Sequence, residues 1–150
     1  MAQTFELNQF NQTAIKGDLT LGLNNNVISC KIKSDSSSTF TAGTAVKIVD
    51  VANSIPVIEK AAATDSIFGF IIYNRKNNAP VAGDIVEVAF DNSVMLMEAS
   101  ASIAGGATLE IVATGDTVIT NAGTNKVIGR ALRKASSGDI IPVVIFSVRV

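Results

Sequence analysis

The chain contains no histidine, no tryptophan, one cysteine, one tyrosine and three prolines in 150 residues. Without histidine, neither a Ser-His-Asp arrangement, nor a His-activated cysteine, nor a His-ligated metal site can be built. One cysteine excludes an intrachain disulfide, and a chain of this length holds a core without one. No G-x-x-x-x-G-K-(S/T), G-x-G-x-x-G or C-x-x-C is present, so phosphate cradles, dinucleotide sites and zinc clusters lack sequence support. Charged residues make up only 17% and the net charge is −1. That balance argues against a nucleic-acid partner, which requires a basic face. Apolar runs reach seven residues, far short of the roughly 20 that cross a bilayer, so no membrane helix is expected. The first residues lack a basic start followed by an apolar stretch, and no secretory signal is expected there. The expectation is a protein without enzymatic activity, cofactor or metal.

Aliphatic content is high, with 47% hydrophobic residues, which suits one folded domain over 1–150. An internal repeat organises it. Gly43-Thr44-Ala45-Val46-Lys47-Ile48-Val49 is echoed by Gly106-Ala107-Thr108-Leu109-Glu110-Ile111-Val112. Then come Ile55-Pro56-Val57-Ile58 and Thr117-Val118-Ile119, Ile67-Phe68-Gly69-Phe70-Ile71 and Val127-Ile128-Gly129-Arg130-Ala131-Leu132, and finally Gly83-Asp84-Ile85-Val86-Glu87-Val88 and Gly138-Asp139-Ile140-Ile141-Pro142-Val143. Apolar residues alternate with Lys47 and Glu87 at period two, the strand period. Turn chemistry separates the segments. The expected fold is all-β, a small barrel or sandwich built from two related units near 42–90 and 105–146.

Residues 1–41 fall outside this repeat and read as an extended, amide-rich arm plus one strand, Val27–Lys33. The best helical candidate is the short Ile58–Ala63, which reads equally as a loop. Gly69 and Gly129 sit in mid-strand, where glycine marks a bulge or a close backbone approach. Pro142 cannot donate to a ladder and is expected at an edge or bulge.

Cys30 lies on the apolar side of its strand and reads as a core residue. The Gly83-Asp84 and Gly138-Asp139 pairs read as turns entering strands rather than as paired carboxylates. Val94-Met95-Leu96-Met97 is apolar on both strand faces, so its second face is covered either by another layer of the domain or by a neighbouring subunit. Met95 and Met97 are interface candidates on the second alternative, together with Phe5, Leu7 and Phe10 of the arm, which either anchor an arm whose backbone pairs with a neighbour's sheet edge or cover the open end of the chain's own barrel. Residues 126–150 carry a net +4, leaving −5 for residues 1–125. Contact between opposite poles of neighbouring subunits is one use for this split, against ordinary solvated charges.

The order Ala42-Gly43-Thr44-Ala45-Val46, Ile67-Phe68-Gly69-Phe70, Ala82-Gly83-Asp84-Ile85-Val86-Glu87-Val88, Gly105-Gly106, Val127-Ile128-Gly129-Arg130-Ala131-Leu132 and Gly138-Asp139-Ile140-Ile141-Pro142-Val143 resembles the capsid-cement, or head-decoration, proteins of tailed bacteriophages. The resemblance covers about 42–146. It implies a compact β domain made in the host cytoplasm that binds the outside of a virion shell through the major capsid protein, commonly as a homotrimer, and reinforces it without catalysis. A carbohydrate-binding or adhesin-type β module shares the fold class. It needs aromatic contacts, and Tyr73 beside Asn74 and Arg75 is the candidate.

Overall fold

Ten strands and no helix make up the described residues, 14–20 and 25–146, of the computed structural model. In chain order they are β1 (Asn26–Ile32), β2 (Ala45–Ala52), β3 (Ile55–Lys60), β4 (Gly69–Ile71), β5 (Ile85–Phe90), β6 (Val94–Glu98), β7 (Thr108–Ile111), β8 (Val118–Thr120), β9 (Gly129–Ala131) and β10 (Ile140–Ile145). The first five close into a barrel in the order β1-β3-β2-β4-β5, and the last five form a sheet in the order β6-β10-β9-β7-β8.

The two sheets are the same object drawn twice. Within the first, β2 pairs with β3 and β4, β4 with β5, and β5 with β1, all antiparallel. Substituting β7, β8, β9, β10 and β6 for β2, β3, β4, β5 and β1 reproduces every one of these pairs. The closing contact is parallel in both. It spans Lys31↔Val57 and Ile32↔Ile58 in the first unit and the single bridge Ala99↔Val118 in the second. Each closure is followed by one more bond, from the Lys33 amide to the Ile58 carbonyl at 3.0 Å and from the Ser100 amide to the Val118 carbonyl at 3.0 Å. The second unit is therefore an incompletely closed copy of the first barrel.

This pairing moves the repeat boundary expected from sequence. β1 is the counterpart of β6, so the first unit begins at Asn26 and not near residue 42, and the strand expected at Val27–Lys33 outside the repeat is one of its strands. The helical candidate at Ile58–Ala63 is overturned as well. Ile58, Glu59 and Lys60 end β3, where their alternation with β2 outweighs a weak local helix preference.

The glycines at the two mid-strand positions have one shared reason. A Cβ at Gly69 would overlap the Ala89 carbonyl oxygen, and a Cβ at Gly129 would overlap the Val144 carbonyl oxygen. Close approach of the neighbouring strand, β5 or β10, is thus the role of both. The Gly-Asp turns also coincide: Gly83 and Gly138 have φ of +87° and +88°. Asp84 accepts from the Val81 amide and Asp139 from the Ser136 amide, both at 2.9 Å. These carboxylates hold turns, and the bond from the Val81 amide holds the Asp84 carboxyl below the usual aspartate range, with the Asn77 side chain adding to the effect.

Pro142 lies in β10, an interior strand between β6 and β9 with unbroken register, and at neither the edge nor the bulge that its chemistry predicts. Its carbonyl accepts from Leu132, just past the last residue of β9. Its missing N–H therefore falls where that ladder has already ended.

Each barrel is filled along its inward face. Cys30, Ile32, Val46, Ile58, Ile71, Val86 and Val88 form the first core, with Phe40 over one end. The second core contains Met95, Met97, Leu109, Ile111, Ile128, Ile141, Val143 and Ile145, and it takes in Ala45, Ala61, Ile67, Phe70 and Ala89 from the outer face of the first barrel. The bonds between the units agree with this arrangement: Ala45 donates to Gly115 at 2.8 Å, Asn92 to Ile145 at 2.8 Å and Lys126 to Ala63 at 3.2 Å. The first barrel thus sits across one end of the second.

Gly69→Ala and Gly129→Ala are each expected to cost about 1–3 kcal/mol, the usual penalty for overpacking. Gly105→Ala is the control, because its added Cβ meets nothing closer than 3.5 Å. Urea denaturation of the three variants checks this, with only Gly105→Ala staying close to wild type.

Candidate interaction surface

Among the described residues, no group of three or more His, Cys, Asp or Glu side chains is placed to hold a metal ion. Cys30 is fully buried, and burial pushes its thiol up to about 11, with the Glu87 carboxylate adding to the effect. A thiol held neutral in this way is a packing element.

Two equivalent polar pairs pin the loops beside β2 and β7. Lys47 Nζ lies 2.9 Å from Asp65 in the first unit. That bond holds the Asp65 carboxyl below its ordinary range, assisted by the Ala62 amide. At the matching place in the second unit, buried Glu110 accepts from Asn125 at 2.8 Å, from Asn121 at 2.9 Å and from the Ala122 amide at 3.0 Å. The charged partner has changed sign while the job of holding the loop is kept.

Met95 and Met97 are 0% and 2% exposed within the chain's own core. Of the two covers expected for the β6 segment, the domain itself supplies the one for these residues, which leaves neither methionine with surface for a neighbour. The outer edge of β6 is paired by residues 17–20. Gly17 donates to the Leu96 carbonyl at 2.7 Å, Thr20 to the Val94 carbonyl at 3.1 Å, and Leu96 to the Asp18 carbonyl at 2.8 Å. Lys16 adds an ion pair with Asp116 at 3.3 Å. Strand addition by the N-terminal region thus occurs, and for residues 17–20 the receiving edge belongs to the same chain. Phe5, Leu7 and Phe10 lie outside the described residues.

Two surface features remain. One is an open depression of about 220 Å³ lined by Tyr73, Asn74, Arg75, Asn77, Ile85 and Glu87, which brings together the side chains of the sugar-contact candidate. The other is the end of the first barrel opposite Phe40. Phe68 and Phe90 stack there with ring centroids 5.1 Å apart, and Ile28 is partly buried beside them. The β2–β3 hairpin runs past this end, turning at Asn53 and Ser54 with φ of +52° and +66°, the backbone of a tight hairpin turn. Its inward face carries Ile48 and Val51 beyond the core, 44% and 61% exposed. Strand period from Val46 puts Ile48 on this face, a bulge between Ile48 and Asp50 returns Val51 to it, and the hairpin's greater length compared with β7–β8 exposes both.

No protein-family model matches the chain, and no curated protein matches it. Among solved structures, it is similar to the N base of head fiber gp8.5 of bacteriophage phi29, with a TM-score of 0.58 and 17% identity over 85% of this chain and 98% of that one. At that identity the likeness is one of fold.

The raised thiol pKa predicts that Cys30 resists an aromatic disulfide reagent at pH 8 until the protein is unfolded, which an absorbance assay reads directly. The stabilisation associated with the neutral thiol is fully present below its ordinary value of 9.0 and is lost as pH rises toward 11. Cys30→Ser is expected to cost about 1–3 kcal/mol by burying a hydroxyl and to leave every binding property unchanged.

Proposed function

We propose that this protein is a non-enzymatic cement, or head-decoration, protein that binds the outer surface of a bacteriophage shell through the major capsid protein and stabilises it as a homotrimer. The observation that carries the reading is the fold shared with a phage head fiber base, which the likeness covers almost completely. It joins the independent resemblance of the segments Val127–Leu132 and Gly138–Val143 to capsid-cement proteins. The rest of the structure is compatible with this role. Apolar side chains fill both barrels, the carboxylates with lowered pKa values serve turns and loops, and the absence of histidine removes the commonest general base.

A second reading, a carbohydrate-binding module, is favoured by one feature, the depression at Tyr73, Asn74 and Arg75. An aromatic ring beside amides and a guanidinium is the chemistry that holds a sugar face and its hydroxyls.

The test uses purified shells that lack the protein. Added protein is expected to occupy the shells in a saturable manner and to raise the temperature at which they release their contents. Removing residues 2–13, which keeps the strand at 17–20, is expected to leave the protein folded and to lower occupancy. No occupancy by the full chain would overturn the cement reading, and undiminished occupancy by the shortened chain would overturn the role of the arm. Binding to a glycan array that is abolished by Tyr73→Ala, with shells left bare, would establish the second reading instead.

A further inference from the structure

The contact between the two barrels provides a template for a contact between two copies of the chain. In the second barrel, the end formed by Met95, Ile111, Ile128 and Ile145 is covered by the first barrel's outer face, whose centre is Phe70 flanked by Ala45 and Ala89. Strand equivalence identifies the matching end of the first barrel as Ile28, Ile48, Phe68 and Phe90, with Val51 beyond them. It identifies the matching outer face of the second barrel as Arg130 flanked by Thr108 and Val144. Leu132, counterpart of Ile72, is 52% exposed beside that face, and Val127 is half-buried near it.

The two surfaces left without such a contact among the described residues have changed together relative to the used pair. Where the inner contact buries Phe70, the outer face carries Arg130. Where the covered end has Phe146 after its last strand, the open end has Asp91, and Asp50 projects from the hairpin beside it. An apolar end with acids at its rim and an apolar face centred on a cation are complementary. They also give a specific location to the charge split along the chain, −5 before residue 126 and +4 after it.

We infer that a second copy of this chain docks the outer face of its second barrel, through Val127, Arg130, Leu132 and Val144, onto the open end of the first barrel, with Arg130 facing Asp50 and Asp91. The contact is head-to-tail, so each copy offers one of each surface and a closed ring uses them all. It deepens the homotrimer of the cement reading and rests on that reading for the ring size, while the two surfaces follow from the fold alone.

The experiment measures mass in solution by light scattering, over a range of concentrations, for the full chain and for surface variants. Wild type is expected to associate, and Arg130→Glu and Val51→Asp, both at exposed positions, are each expected to give monomers that melt as wild type does at matched low concentration. Asp50→Arg combined with Arg130→Glu in one chain is expected to restore association. A photo-crosslinker in place of Val51 is expected to capture residues 127–144 of another copy. A wild type that stays monomeric throughout, single variants that keep the wild-type mass, or capture of residues 1–13 instead would each overturn the contact. Shell occupancy is read separately: a ring that forms as described and never binds shells would overturn the cement reading and leave this contact standing.

Discussion

A five-stranded barrel has an interior wide enough for side chains and nothing more, and its strands cover that interior only from the side. Both ends require a lid made of something else. In this protein, Phe40 in the loop between β1 and β2 covers one end of the first barrel, and its counterpart Ile103 is buried at the matching place in the second. The other end of the second barrel is covered by a sheet face of small residues, Ala45, Ala61 and Ala89, around the single large side chain of Phe70. Small residues let one backbone come close to another, and Ala45 uses that proximity to donate to Gly115. The two barrels share one core through this contact.

Much of this organisation was legible in the sequence. The repeat was carried by glycines that the backbone cannot replace, because Gly43 and Gly106 share a φ near +81° and +82°, and Gly69 and Gly129 face a carbonyl of the adjacent strand. Such constraints act on residue type and leave a mark. The correspondence of β1 with β6 left none. Ile32 and Ala99 occupy the same place through backbone bonds, each donating to the aspartate that follows a turn glycine, and any side chain satisfies that requirement. β6 is also apolar on both faces while β1 alternates.

The surface was harder to read than the core for a related reason. Ile48 alternates with Val46 as a buried strand residue does, and periodicity reports which face a side chain is on, not how far the barrel extends beneath it; Val51 reaches the same face through a bulge that strict alternation does not show. Met95 and Met97 carried the opposite ambiguity, an apolar run that either of two covers explains; the covering residues lie far away in sequence and could not be paired with them in advance. Cys30 was decided by the lack of histidine, and the fold agrees by burying it.

The bond from Gly17 to Leu96 also fixes an order of events during synthesis. Every strand of the first barrel has been made by Phe90, so that barrel can close while later residues are still inside the ribosome. The second unit cannot cover its own end and needs the finished outer face of the first. Residues 17–20 are translated before the whole first barrel, yet their partners Val94–Leu96 come far later in the chain. They must wait beside a folded neighbour, and a segment that precedes the whole first barrel becomes one of the last pieces to be fastened.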